Sequence, residues 1–444
     1  MAQVSFGSRH AAQRFGPWRL AMAPSLHRRK SVRSLVRAWT CYASIGYVSL
    51  TITIIGLTLK DLAANVGFVG PAGSLSMFPL YLGRGFGAVA GTLVGGLLCD
   101  LLPIKVVMSG CIVFSALSMA VVPVVSSVGM NALVLAVLAI GFCGSALVAT
   151  VITTAFWSFP GAAVGPVLSN CGATSTVTST LLPLVFLEAQ LPDVSAKYTL
   201  VSFCAVPALV LLFMCEAPSA PSRTSKSSAS GAKWPLVFAT ALAQLLLQGA
   251  ISGLLQWLNS FGSLEFSADK ATPLLLVTTF QGCGTLGNLL AAQWQQHFRI
   301  WDLALVQTAL MAIGATIWLP LAWSMEASFA AVMLCGLVGA PTVTYFQTLL
   351  NQHASPSGRQ VSLVTLGTNC GANFMPFVIG AAMKSSGPRA LIWVVLACFG
   401  AIAASMLVAG GWARRSVDAR GAGEQLLRSG DGHGDEGSPA AART

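Results

Sequence analysis

From about Val36 to Gly411 the chain passes through one stretch after another of roughly twenty residues with no charged side chain. Each is long enough to cross a hydrocarbon core of roughly 30 Å as a helix, the form in which a segment satisfies all of its own backbone hydrogen bonds. The pattern predicts an all-α polytopic membrane protein. A soluble helical protein would need charged faces, yet only 9% of the 444 residues are charged and 55% are hydrophobic.

Twelve spans are expected, at roughly 36–59, 73–98, 104–125, 131–156, 162–187, 198–215, 235–260, 273–296, 303–323, 327–350, 359–383 and 390–411. One long polar break, EAPSAPSRTSKSSASGAK at 216–233, reads as a flexible linker and splits them six plus six. The expected organisation is a basic tail (1–34), an N-terminal six-helix half (35–215), the linker (216–233), a C-terminal six-helix half (234–412) and a disordered tail (413–444). Of the 25 lysines and arginines, nineteen fall on the side shared by the termini and the linker, and five on the opposite side. The positive-inside rule then puts both termini and the linker in the cytosol. This asymmetry accounts for most of the net charge of +11, so the expected partner is the lipid bilayer and not nucleic acid. The plasma membrane is the favoured location. The acid-free, Arg-rich stretch 1–37 reads first as a topological anchor and second as an organelle-targeting segment, which keeps an organelle membrane open.

No Ser/His/Asp set, phosphate-binding loop or carboxylate pair falls at membrane depth, so no enzyme activity, catalytic residue or cofactor is expected. No Cys/His cluster has metal-ligand spacing, and no metal site is expected. The eleven cysteines lie in or at the edges of spans and read as small apolar residues, not as a disulfide framework.

Polar side chains inside the spans are grouped on particular faces. The first span carries Thr40, Ser44, Tyr47, Thr51 and Thr58 at helical spacing, and the seventh carries Gln244, Gln248, Ser252, Gln256 and Asn259. The tenth has Tyr345 and Thr348 below Pro341. The eleventh has Ser362, Thr365, Asn369 and Asn373, and the fifth the run SNCGATSTVTST at 169–180. The third, sixth, ninth and twelfth spans have few strongly polar residues. A single Ser or Thr often does no more than bond a backbone carbonyl or a neighbouring helix, but a buried amide needs partners or water. Whole polar stripes predict a water-filled path lined by selected helices, with the apolar helices as outer support.

Tyr47, Thr51, Asn170, Gln244, Gln248, Gln281, Tyr345, Asn369 and Asn373 are therefore the candidate hydrogen-bonding residues of a solute site. Trp257 is either a stacking platform for a sugar ring or an interface anchor. One ionisable residue lies at membrane depth: Arg84, near the middle of the second span, where a charge is expensive and functional by default. No Asp or Glu at that depth can neutralise it or carry a proton.

The two halves match at a constant offset of 199 positions. Gly83 and Gly85 correspond to Gly282 and Gly284, and the tetrad Asn170–Ala173 corresponds to Asn369–Ala372, both reading NCGA. Gly172 and Gly371 are expected to let helices approach across the seam between halves. Asn170 and Asn369 are expected there as clasps between the halves or as polar contacts at the cavity edge. Two similar six-helix halves with a path between them suit a rocking transporter.

At this point the chain resembles the major facilitator superfamily. GLLCDLLPIK at 96–105 is similar to that family's loop between helices 2 and 3, with Gly96, Asp100 and Lys105 matching and the expected arginine and second glycine absent. The resemblance implies a gating role for Gly96, Asp100 and Lys105. A narrower likeness, to the branch containing sodium-dependent glucose transporters, rests on LTLKDLAANVG (57–67), GRGFGAVAGTLVGGLLCD (83–100), Trp157, Gly165-Pro166, Pro183, Gly371, Pro376 and Gly380. Val148, Ile152, Gly172 and Asn288 stand where that branch has Asp, Asn, His and Arg.

The expectation is a secondary transporter or facilitator moving a small polar solute, a hexose-like sugar first, by alternating access. Helices 1, 4, 7 and 10 would line the path, with 2, 5, 8 and 11 at the seam. A small organic or inorganic anion using Arg84 as counter-charge is the alternative solute. A membrane receptor or scaffold that does not transport is the alternative class. A monomer is expected, with Na+ or H+ as the candidate coupling ion.

Overall fold

The computed structural model describes residues 24–68, 73–159, 163–189, 191, 193–215, 234–266, 271–353 and 358–404. The expected linker 216–233, the tail 413–444 and most of the tail 1–34 lie outside the described residues.

Twelve helices run through these residues. The N-terminal set is α1 (Pro24–Val66), α2 (Pro79–Leu101), α3 (Ile104–Val128), α4 (Met130–Ser158), α5 (Val164–Glu188) and α6, formed by Val194–Phe203 and Ala205–Met214 with a turn at Cys204 between them. The C-terminal set is α7 (Trp234–Glu265), α8 (Ala271–Trp294), α9 (Ile300–Leu321), α10 (Met325–His353), α11 (Gly358–Ser386) and α12 (Ala390–Ala404). No strand occurs among the described residues. Nine of the helices are long and apolar enough to cross a membrane by length and composition. α5 and α11 fall short because Ser, Thr and Asn crowd their middles, and α12 is described only to Ala404.

The breaks follow from local chemistry. Pro79 opens α2 in its first turn, where a missing N–H costs nothing. Pro103 separates α2 from α3. Gly129, at φ 137°, lets α3 turn directly into α4, and Gly387, at φ 88°, does so between α11 and α12.

Within the N-terminal half α2 lies along α4, α3 along α4, and α1 along α5; in the C-terminal half α11 lies along α7, and α10 along α8 and α9. The α2–α4 pair meets backbone to backbone: Gly87 and Gly91 sit on the carbonyls of Leu138 and Phe142, with no room for a β-carbon. α8–α10 is its counterpart, with Gly287 on the Leu337 carbonyl and Gly336 on that of Phe280. α3 and α6 are the outermost spans, 28% buried against 67% for α1, as their scarcity of polar residues predicts.

The halves meet chiefly through α2 against α11 and α5 against α8; α1 touches α7, α5 touches α10 and α4 touches α11. Gly85 faces Phe374 of α11 and Gly284 faces Thr176 of α5, so the 199-residue offset pairs equivalent seam positions. An apolar cluster joins the halves at the end of the bundle where α1 finishes and α2 begins. There Ile55, Leu59 and Tyr81 meet Leu254, Trp257 and Phe261.

Candidate functional site

A cavity of about 200 Å³ lies between the two halves. Its N-terminal wall is mostly apolar: Ile45, Val48 and Ile52 of α1, Val148, Val151 and Ile152 of α4, and Leu168 of α5, with Ser49, Ser175 and Thr176 between them. Its C-terminal wall carries the amides: Gln248 of α7, Gln281 and Asn288 of α8, Gln347 of α10 and Asn369 of α11, with Ser252, Thr344 and Thr368. Among the described residues no Asp, Glu, Lys, Arg or His lines it. One wall is therefore greasy and the other rich in neutral hydrogen-bonding groups.

Of the residues singled out from the sequence, Gln248, Gln281 and Asn369 border this cavity. Gln248 Nε2 donates to Ser252 Oγ at 3.1 Å, a bond between two residues that both line the space. Asn369 Nδ2 donates to Thr92 Oγ1 at 2.7 Å, across the seam from α11 to α2. The two roles expected of this asparagine are thus combined: it clasps the halves and edges the cavity. Arg84, Thr51, Asn369 and Asn373 border a second, smaller space beside the first.

The other candidates are placed elsewhere. Tyr47 is buried beside Ser115 of α3, inside the N-terminal half. Gln244 Nε2 donates to the Val343 carbonyl at 2.6 Å, and Tyr345 accepts from Gln307 Nε2 at 3.4 Å; both tie helices together within the C-terminal half. Asn170 lies near Tyr42 within its own half and borders neither of the two spaces. The position equivalent to Thr92 at the 199 offset is Ala291, which offers Asn170 no side-chain acceptor. Trp257 borders neither of the two spaces and is shielded from the lipid-facing surface. It is fully buried, donates its indole N–H to the Pro376 carbonyl at 2.6 Å, and meets Tyr81 edge to face at 5.7 Å across the halves.

The tetrad glycines also part company. Gly172 faces Asn288 across the seam, as expected. Gly371 instead sits on the Leu245 carbonyl of α7, within its own half. At the α2–α3 turn Gly96 backs onto Ser362 of α11, bringing the halves close there. Asp100 is exposed, Lys105 half-buried, and no ion pair joins them.

The helix faces explain what the sequence reading missed. On α1 the cavity takes Ile45, Val48, Ser49 and Ile52; of the polar stripe Thr51 borders only the smaller space, and Thr40, Ser44, Tyr47 and Thr58 are buried in the half. On α10 it takes Ala340, Val343, Thr344 and Gln347, one step round from Tyr345 and Thr348. Helices 5, 8 and 11 line the space together with 1, 4, 7 and 10. A repeat at helical spacing that mixes apolar with polar residues (340, 343, 344, 347; 248, 251, 252, 255) was the available signal.

Contacts between halves lie on both sides of the cavity. Towards the α1–α2 turn, Tyr81 Oη donates to Gln256 Oε1 at 3.0 Å, Gln256 Nε2 donates to the Ile52 carbonyl at 3.3 Å, and Phe78 packs on Phe377 at 5.3 Å. Towards the α2–α3 turn, Gln295 Nε2 donates to Ser169 Oγ at 2.7 Å, and Ser169 and Thr344 share a hydrogen bond of 3.1 Å.

No protein-family model and no curated protein matches this sequence. Solved structures do match its fold. The proton:xylose symporter XylE, bound to 6-bromo-6-deoxy-D-glucose, superposes with a TM-score of 0.69 at 14% identity, over 85% of this chain and 96% of XylE. The human organic anion transporter MFSD10 gives 0.66 at 14% identity, over 84% and 99%. The transporter FucP, in its outward conformation, gives 0.62 at 13% identity, over 82% and 98%. The fold of this chain is the major facilitator fold.

Proposed function

We propose that this chain, a multi-pass membrane protein with the major facilitator fold, is a secondary transporter or facilitator. Its solute is small and hydroxylated, of hexose size, and moves by alternating access of the cavity between the halves. The observation that carries this reading is the cavity itself: a cleft between the halves lined by five amides and several hydroxyls, with no fixed charge among the described residues. Amides both donate and accept, which suits hydroxyl groups. The apolar wall suits the C–H face of a ring. XylE and FucP share the fold, and the sugar-derived ligand of XylE supports a sugar-like solute. The resemblance to the sodium-dependent glucose transporter branch points the same way. Gln248, Gln281, Asn288, Gln347 and Asn369 are the proposed solute-binding residues, with Gly96, Asp100 and Lys105 at the gating turn. The surplus of Lys and Arg on the side of the termini supports a cytosolic location for both, and the plasma membrane is the favoured membrane.

The test is counterflow of labelled hexoses into proteoliposomes, with and without a sodium or proton gradient. Saturable flux that Gln281→Ala and Asn288→Ala reduce supports the reading. Absence of flux for every hexose and organic acid tried, in protein that is correctly inserted, overturns it in favour of a receptor or scaffold.

A further inference from the structure

Arg84 is the only charged side chain among the described residues that is fully buried, 3% exposed. Its Nη1 reaches no hydrogen-bond partner. No carboxylate lies against it; its titratable neighbour is Tyr81, whose hydroxyl is already committed to Gln256. Beside it is a space of about 20 Å³, also bordered by Thr51 and Ser145 of the N-terminal half and Asn369 and Asn373 of α11. That is room for one or two water-sized groups. Asn373 Oδ1 is buried without a partner as well, because its Nδ2 is given to the Asn369 carbonyl at 2.6 Å. Val48, Ile52, Val148, Asn369 and Ala372 border both this space and the main cavity, so the two adjoin.

These groups make different demands. A buried guanidinium without a counter-charge is costly and calls for an anion. A buried carbonyl oxygen without a donor calls for an O–H or N–H beside that anion. The amide wall beyond calls for further hydroxyls. A halide meets only the first demand, and a neutral sugar only the second and third. We infer that the solute is a hydroxylated monocarboxylate, a sugar acid or a smaller hydroxy acid. Its carboxylate docks at Arg84, a neighbouring hydroxyl donates to Asn373 Oδ1, and its remaining hydroxyls face the amides of α7, α8 and α10. This narrows the solute of the transporter proposed above and rests on that reading.

The experiment compares D-gluconate, D-glucose and chloride as stabilisers of the purified full chain in detergent, and gluconate and glucose as substrates in proteoliposomes. Gluconate should bind and be transported in preference to glucose, and Arg84→Gln should weaken its binding about a hundred-fold. Asn373→Asp, which installs a fixed carboxylate beside Arg84, should fold at least as stably and lose gluconate selectively, so a folding defect in Arg84→Gln leaves the test intact. Equal handling of glucose and gluconate, or gluconate binding unchanged in Asn373→Asp, overturns the inference while the transporter reading stands. Chloride stabilising as well as gluconate, through Arg84, also overturns it, in favour of a simple inorganic anion site. No binding and no flux of either sugar compound overturns both.

Discussion

Asn170 and Asn369 stand in identical tetrads, and their surroundings decide what each does. Asn369 finds Thr92 across the seam, whereas the position equivalent to Thr92 in the other half is Ala291, and Asn170 lies near Tyr42 within its own half. Interhelical hydrogen bonds in membranes contribute about 1 kcal/mol or less. Asn369→Ala and Thr92→Ala should each lower unfolding stability by about that much, and the double variant should lose no more than either alone. Asn170→Ala should show no coupling to Thr92→Ala in the same measurement. Trp257 is a residue-scale case of a different kind. Trp257→Phe removes the donor to Pro376 and part of a packed ring pair, so thermal stability should fall while the KM for solute stays within about two-fold. A matching loss of affinity would return Trp257 to the binding site.

At the scale of the helix, the period of polar residues was readable and its direction was not. Thr58, Thr150, Thr153 and Thr365 each donate to the carbonyl four residues earlier in their own helix, at 2.8 to 2.9 Å. A hydroxyl satisfied in this way needs no water. A polar stripe can therefore face a neighbouring helix as comfortably as a cavity, as Thr40, Thr51 and Thr58 of α1 show, while Ser44 Oγ and Tyr47 Oη are buried there without a partner. Glycines show the same limit. Gly371 presses on the Leu245 carbonyl, and Gly282, which stands in an equally regular repeat, has nothing within 4 Å. Gly371→Ala should reduce the yield of folded protein and its melting temperature. Gly282→Ala should be neutral or stabilising by about 0.5–1 kcal/mol, since glycine is a poor helix former. Cys171 of α5 is the cavity's own reporter. With the other cysteines replaced, solute should slow its alkylation, and labelling unaffected by a transported solute would place the binding site elsewhere.

For the whole molecule, the contacts between the halves on the two sides of the cavity are of unlike chemistry, aromatic rings with one glutamine at the α1–α2 end and amide–hydroxyl bonds at the other. Alternating access requires these contacts to break in turn. A β-carbon built on Gly56 lies 3.5 Å from the Gln256 Cα, which makes this pair of positions the place to introduce a cross-link between the halves. Oxidation of Gly56→Cys/Gln256→Cys should lock the halves together at that end and stop flux, and a reductant should restore it. Flux that continues in the fully cross-linked protein would exclude rocking about this seam.

What the sequence by itself determined was the solvent and the plan: helices because lipid leaves a spanning backbone no other partner, six and six because a polar linker divides two matching halves. It also singled out Arg84, because a charge at membrane depth has few neutral explanations. Only the tertiary structure decided which faces meet. That choice rests on packing between helices far apart in sequence: glycines 87 and 91 drawing α2 onto α4, and Thr92 available to Asn369 where Ala291 is not. Composition and periodicity describe one helix at a time, whereas a cavity belongs to the space that several helices leave between them.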